Sequence, residues 1–288
     1  MNATNEIFDN DVPIAWCPGC GNFSILKALK QALADMALKP NEIIVVSGIG
    51  QAAKLPHYMR CNFFNGLHGR SLPIATAIRI ANSNVPVIVI GGDGDTYGEG
   101  GNHFLHALRR NMNMTLITHN NQVFGLTQGQ ASPTTERGFV TKVQTHGVFL
   151  TPFNPITLAV ALEVSFVARG FAGNVEHLKW LIKEAMSIEG FALVDVFQPC
   201  VSYDHVHTFG WYKERVYDLN QSGHDTEDQT AAIQKSKEWG EKIPLGIFYQ
   251  NPEKLSYEQQ SSLLRDGPAL VKRHPDPSRI EKVIDSFL

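Results

Sequence analysis

The chain has 288 residues, enough for one large domain or two ordinary ones and for a sizeable core. Its 25 Lys+Arg against 28 Asp+Glu leave a formal charge of −3, which provides no electrostatic footprint for nucleic acid or for an anionic membrane surface. Charged residues make up 18% of the chain, below the usual share of about 25%, as expected where a partner covers part of the surface.

The first fifteen residues carry Glu6, Asp9 and Asp11 and no Lys or Arg, unlike a secretory signal or a transit peptide. The apolar run Val85 to Ile90 is far shorter than the roughly 18 residues that span a bilayer. The expectation is a soluble, cytoplasmic chain, in which four cysteines point to metal or redox chemistry before a disulfide framework.

In chain order, a helix is predicted over 23–36, a strand over 43–47, a helix over 72–81 and a strand over 86–90. A helix over 103–110, strands over 114–119 and 164–168, a helix over 175–188 and a strand over 192–197 follow. Asn174 serves as N-cap of the last helix and Gly190 closes it. Strands alternating with helices predict an α/β fold, a parallel sheet with helices on both faces. After Cys200 the chain becomes richer in charge and proline (Pro244, Pro252, Pro268, Pro275, Pro277), with one helix-like segment over 227–241. The expected division is a main domain over 1–210 and a C-terminal extension over 211–288 that packs on it or on a partner.

The strand ending at Ser47 runs into Gly48-Ile49-Gly50-Gln51-Ala52-Ala53, a G-x-G-x-x-A pattern. A dinucleotide site would need an acidic residue about 20 positions on. None stands between Gln51 and Gly92, and Pro56 interrupts the helix. What remains is a tight turn whose backbone something approaches closely.

Gly91-Gly92-Asp93-Gly94-Asp95 stands at the end of the next strand, and Asn120-Asn121 at the end of the one after. Ligands of a parallel sheet sit beyond the carboxyl ends of its strands, so both segments serve one crevice. The Asp93 carboxylate, the Asn121 amide and the Val123 carbonyl form a hard oxygen set that suits Mg²⁺ clamped to a diphosphate. A calcium loop of EF-hand type is excluded because Phe104 occupies its twelfth position.

These residues resemble the thiamine-diphosphate motif. With Trp16-Cys17-Pro18-Gly19-Cys20-Gly21, Leu67-His68-Gly69-Arg70, Gly100-Gly101-Asn102-His103 and Gly125-Leu126-Thr127-Gln128-Gly129-Gln130, the chain resembles the β subunit of 2-oxoacid:ferredoxin oxidoreductases over roughly residues 13–250. The resemblance implies the thiamine-diphosphate-binding fold. By motif match it places Ile49, Gly50, Gln51, Ala52, His68, Gly69, Arg70, Ser71, Gly94, Asp95, Gly125 and Leu126 around the cofactor, and Asp93, Asn121 and Val123 on Mg²⁺.

The spacing Cys17-x-x-Cys20 alone fits zinc, a redox dithiol or half of an iron–sulfur site. The family places a third thiolate directly after the Gly-Ile-Gly turn and a fourth near Cys200. Here the turn position is Gln51, which leaves Cys61, ten residues on, to complete a 4Fe-4S cluster with Cys17, Cys20 and Cys200. The other reading of Cys61 is a small buried hydrophobe.

By resemblance Lys54 faces the substrate carboxylate; the bland reading is a solvated lysine. Gln128 stands where family members often carry Lys. His103, His106, His119, His146, His205 and His207 are read as packing or surface groups. The implied reaction is oxidative decarboxylation of a 2-oxoacid with coenzyme A. Electrons pass through the cluster to ferredoxin, and an α subunit supplies the carboxylate that activates the cofactor's aminopyrimidine. Two alternatives are a non-redox thiamine-diphosphate decarboxylase or synthase, and a zinc-stabilised binding module.

Overall fold

The computed structural model describes residues 5–274 and 276–288; Met1–Thr4 and Pro275 lie outside the described residues. Strands β1 (Ile44–Ser47), β2 (Asn62–Asn65), β3 (Val87–Gly92), β4 (Met114–Asn120), β5 (Val123–Phe124) and β6 (Gln130–Ala131) come first. They are followed by β7 (Phe166–Phe171), β8 (Phe191–Phe197), β9 (Val216–Asp218) and β10 (Ile243–Gln250). The main sheet has the order β2-β1-β3-β4-β8-β7-β10-β9, and β5 and β6 form a separate small hairpin. From β2 to β7 every pairing is parallel, whereas β10 runs antiparallel to β7.

Alternate side chains of a strand point to opposite faces, and both faces here are apolar. Val45, Ile88 and Ile90 meet helices α1 (Asn22–Asp35) and α5 (Val175–Ser187). Val46, Val87 and Val89 meet α2 (Ser71–Ala81), α3 (Gly101–Arg110) and α4 (Pro155–Ala161). A parallel sheet covered on both faces explains why these strands read as near-continuous Val/Ile/Leu runs. Asn174 caps α5 through its side chain, which accepts from His177 N at 3.2 Å.

The predicted strands and helices are present with ends shifted by a few residues, and the helix expected over 227–241 is shorter, α7 (Gln229–Ser236) after α6 (Phe209–Lys213). Sequence reasoning missed β2, the β5–β6 hairpin, α4, α6, β9, β10 and the short helices Tyr257–Gln260, Ser262–Arg265 and Pro277–Asp285 that follow it. The exposed edge strand β2 has no burial alternation. In β10, Pro244 and Gly246 interrupt the strand pattern, yet Pro244 precedes the residues paired with β7. The C-terminal segment therefore adds two strands to the main sheet.

Because β1 has β2 on one side and β3 on the other, the strand order reverses there. Such a switch point opens a crevice at the carboxyl ends of the strands. The Gly48-Ile49-Gly50 turn and the Gly91-to-Asp95 segment both leave the sheet at this place.

Candidate active site

Asp95 ties the two turns together. Its Oδ1 accepts from Ile49 N at 3.1 Å and from Gly69 N at 2.7 Å. Close approach requires glycine at position 48, where a Cβ would lie 2.1 Å from Asp95 Oδ2. Beyond Asp93 the chain forms a wide turn of π type, Gly94–Glu99. A Cβ on Gly94 would lie 2.2 Å from the Phe124 ring, so only glycine lets that ring close over the segment.

Asp93 is 1% exposed. Its Oδ2 accepts from Ser132 Oγ at 2.5 Å and lies 2.6 Å from Thr134 Oγ1. The Thr134 hydroxyl also approaches Asn120 Oδ1 at 2.9 Å and can give its one proton to either acceptor. Burial pushes Asp93 up to about 6 against these hydrogen bonds. A divalent cation would offset that desolvation and favour the ionised carboxylate. On the opposite wall, Asn121 Oδ1 accepts from Val123 N at 3.1 Å across Gln122, whose φ of 59° is left-handed. Asp93, Asn121 and Val123 thus come together as an oxygen donor set that fits Mg²⁺.

The cleft between these segments has a volume of about 100 Å³. Of the predicted residues, Ile49, Gly50, Gln51 and Ala52 line one wall, and Asp93, Gly94 and Asp95 another. His68, Asn121, Val123, Gly125 and Leu126 complete the set. Gly69 reaches the site only through its N–H on Asp95. Arg70 Nη1 instead donates to the carbonyls of His68 and Glu99, both at 3.3 Å, and Ser71 is buried at the start of α2. Lys54 is half-buried on the short helix Ala52–Tyr58 and is not part of the cleft lining.

Sequence reasoning assigned no role to His119, Ser132 or Thr134. His119 lines the cleft, with Nδ1 2.7 Å from Asn22 Oδ1 and Nε2 buried without a partner among the described residues. Burial pushes it down to about 3, so it is neutral at pH 7. Its place at the carboxyl end of β4, next to Asn120-Asn121, was the signal available. Ser132 and Thr134 arrive from a distant loop and carried none.

The cysteines lie outside this cleft. Cys17 and Cys20 share a turn, Cys20 N donating to the Cys17 carbonyl at 3.0 Å. Cys17 Sγ accepts from Ser202 Oγ at 3.1 Å and Cys20 Sγ from Gln198 Nε2 at 3.4 Å, so the Cys200 segment packs directly on this turn. Burial, with smaller contributions from Cys200 and Cys17, pushes the Cys20 thiol up to about 11. Cys61 stands apart: its Sγ lies 4.0 Å from the Pro56 carbonyl, and burial alone pushes it up to about 12. Among the described residues, no three His, Cys, Asp or Glu side chains converge closely enough for a single metal ion. Trp16 Nε1 donates to the Gln51 carbonyl at 2.8 Å and joins the Cys17 turn to the segment that follows Gly48-Ile49-Gly50.

The Cys200 loop is pinned by the buried pair His207 and Asp204 together with the half-exposed Glu136. His207 Nδ1 lies 2.8 Å from Asp204 Oδ2, and Nε2 2.9 Å from Glu136 Oε2. Burial would lower His207, but hydrogen bonds and charge from Asp204 and Glu136 outweigh it and hold the imidazole above its ordinary value. A raised folded value means that this pairing stabilises the protein fully below the unfolded value of about 6.5 and fades as pH rises through the folded one. His207→Gln is therefore expected to lower the melting temperature most near pH 6, with the gap to wild type narrowing at higher pH. Thermal unfolding across pH checks this, and a gap that widens with pH would contradict it.

A small cleft at a strand-order reversal, with an acid and an amide presented from adjacent strand ends, is the arrangement expected of a thiamine-diphosphate enzyme. In agreement, the family model for the thiamine pyrophosphate enzyme C-terminal binding domain matches residues 45–196, and the model for the C-terminal part of the pyruvate ferredoxin oxidoreductase β subunit matches residues 200–266. A 2-oxoacid:ferredoxin oxidoreductase β subunit of Saccharolobus solfataricus is 46% identical over 278 residues, 92% of this chain and 90% of the relative. A second such subunit, from Aeropyrum pernix, is 40% identical over 285 residues, 96% of this chain and 92% of the relative. A solved 2-oxoglutarate:ferredoxin oxidoreductase from Magnetococcus marinus, with 2-oxoglutarate, coenzyme A and succinyl-CoA bound, superposes with a TM-score of 0.90 at 31% identity, covering 98% of this chain and 96% of that one. The chain belongs to the family of 2-oxoacid:ferredoxin oxidoreductase β subunits.

Proposed function

We propose that this β subunit, joined to an α subunit, oxidises 2-oxoglutarate or pyruvate with coenzyme A to acyl-CoA and CO₂ and passes two electrons through a 4Fe-4S cluster to ferredoxin. The observation that carries the reading is the convergence of Asp93, Asn121 and Val123 on one cleft beside the Ile49-to-Ala52 turn. Asp93, Asn121 and Val123 would hold Mg²⁺ against the diphosphate. Thiamine diphosphate, when bound, supplies the electron sink that lets a 2-oxoacid lose CO₂.

The chain's own groups bind and orient. Asp95 fixes the Ile49 and Gly69 N–H groups, while Ser132 and Thr134 hold Asp93 in one rotamer. Neutral His119 adds no competing charge beside the metal ligands. A cleft of about 100 Å³ is far smaller than a complete small-molecule site of roughly 300–1,000 Å³, which favours a site shared with the α subunit. The test is 2-oxoacid- and coenzyme A-dependent dye reduction by the assembled enzyme with each acid in turn; no reduction with either, in enzyme that carries thiamine diphosphate, would overturn the reading.

Cys17, Cys20 and Cys200 lie on two packed segments, and Cys61 is the remaining cysteine for a fourth ligand. Cys61→Ser is expected to lower iron content or to change the paramagnetic spectrum of the reduced cluster. Full iron with an unaltered spectrum would assign the fourth position to another group.

A further inference from the structure

A second cavity, of about 360 Å³, opens where the C-terminal segment crosses the carboxyl ends of β7 and β8. It shares no lining residue with the diphosphate cleft. Its size lies in the range of sites for small molecules.

At its inner wall stands Arg169, in the middle of β7 and 5% exposed. The guanidinium packs between the rings of Phe197 and Phe248, 5.0 and 5.1 Å from their centroids. Among the described residues, its Nε and Nη1 are buried without a hydrogen-bond partner. The nearest carboxylate oxygen, Asp195 Oδ2, is 3.8 Å from Nε, beyond hydrogen-bonding distance. Asp195 is already engaged, accepting from Tyr97 Oη at 2.9 Å and from Asn120 Nδ2 at 3.2 Å.

The other acids around the cavity are also committed. Glu136 is taken by His207 and by Trp239 Nε1, the latter at 3.3 Å. Glu238 accepts from Lys235 Nζ at 2.7 Å and Tyr217 Oη at 2.6 Å. Arg137 and Lys237 stand exposed at the rim. Among the buried acceptors of the lining, Gln122 Oε1 has no partner, and rotation of that amide would present its Nε2 instead. Arg169 is thus the buried cation of the lining with open donors, beside the neutral Gln122 amide, and Phe153, Phe197 and Trp239 add apolar surface.

We propose that this cavity binds a small monocarboxylate with an apolar body, its carboxylate paired with Arg169 and its body packed on Phe153 and Trp239. Planar guanidinium matches a carboxylate geometrically. Asp195 already balances part of the Arg169 charge, so a monoanion fits better than a dianion, whose second charge would face Asp195 and Glu136. The site is also joined to the metal ligands, because Asn120 bonds Asp195 on one side and approaches Thr134, the neighbour of Asp93, on the other.

The probe is 4-fluorophenylacetate, followed by ¹⁹F line broadening on the assembled enzyme saturated with thiamine diphosphate and Mg²⁺. The acid is expected to bind, and the neutral 4-fluorophenylacetamide to bind about tenfold or more weakly. Arg169→Gln should weaken the acid by about tenfold or more, and the exposed rim change Lys237→Glu by about twofold to fivefold. Should Arg169→Gln fail to assemble, Lys237→Glu carries the test. No binding to the wild-type enzyme, equal binding of acid and amide, displacement of the acid by equimolar inorganic phosphate, or unchanged affinity in the folded variants would each overturn the proposal.

Discussion

An Asp93→Ala enzyme, assembled with its partner subunit, is expected to bind thiamine diphosphate with Mg²⁺ at least about 100-fold more weakly than wild type. Loss of an outer-shell partner of a metal ligand already costs 10–100-fold, and Asp93 is the one carboxylate of the donor set. Backbone N–H groups of the Ile49 turn cannot replace it, because a dication between phosphates needs an oxygen donor with negative charge. The loss should be specific to binding. Burial pushes Asp93 up to about 6, so its charge is costly in the empty fold. Ser132 Oγ keeps Thr135 Oγ1 within 3.3 Å, and Thr134 keeps Asn120 Oδ1. Calorimetric titration alongside thermal unfolding separates the two effects. Unchanged affinity, or a loss of affinity that only tracks a loss of fold, would remove Asp93 from the metal site.

Gly69→Ala is expected to destabilise the chain and to deform the cleft. Gly69 has φ of +71°, and a Cβ there would lie 2.4 Å from the Glu99 carbonyl carbon. The obstacle is backbone, so no side-chain rotation relieves it. Left-handed backbone without glycine costs about 1–2 kcal/mol and overpacking about 1–3 kcal/mol more, for an expected total of about 2–5 kcal/mol. Because Gly69 N donates to Asp95 Oδ1, the same shift should reach the Ile49 turn and weaken cofactor binding as well. Denaturant unfolding measures the first effect and titration the second; a variant within about 0.5 kcal/mol of wild type, the usual span of neutral surface changes, would show that the turn yields freely.

Much of this site is legible in sequence because its chemistry sits at strand ends. Gly48-Ile49-Gly50, Asp93-Gly94-Asp95 and Asn120-Asn121 each follow a β-branched run, and a parallel sheet brings such ends together. Ser132 and Thr134 could not be read, because their hydroxyls reach Asp93 across 39 and 41 positions from a loop without periodicity. Arg70 stands beside the site as its motif implies, but its guanidinium turns to local carbonyls, a choice of rotamer that no motif encodes. Likewise Lys54 follows the diphosphate turn in sequence, yet the short helix Ala52–Tyr58 brings Ala52 and not Lys54 to the cleft. The cysteine pattern marked the Cys17 turn and the Cys200 segment as candidates, and the folded chain packs one on the other. Strand β10 escaped notice because Pro244 and Gly246 mask a strand that pairs only from Gly246 onward with β7.

The central claim is that this chain forms one half of a 2-oxoacid-oxidising site and needs an α subunit to complete it. The most direct measurement is 2-oxoacid-dependent reduction of a viologen dye in the presence of coenzyme A. It compares the isolated chain, reconstituted with iron, sulfide, Mg²⁺ and thiamine diphosphate, with the co-expressed complex. Cofactor activation needs an acid positioned at the aminopyrimidine ring, which the resemblance places on the α subunit. Turnover by the complex and none by the isolated chain is the predicted result; sustained turnover by the isolated chain at the rate of the complex would contradict the account.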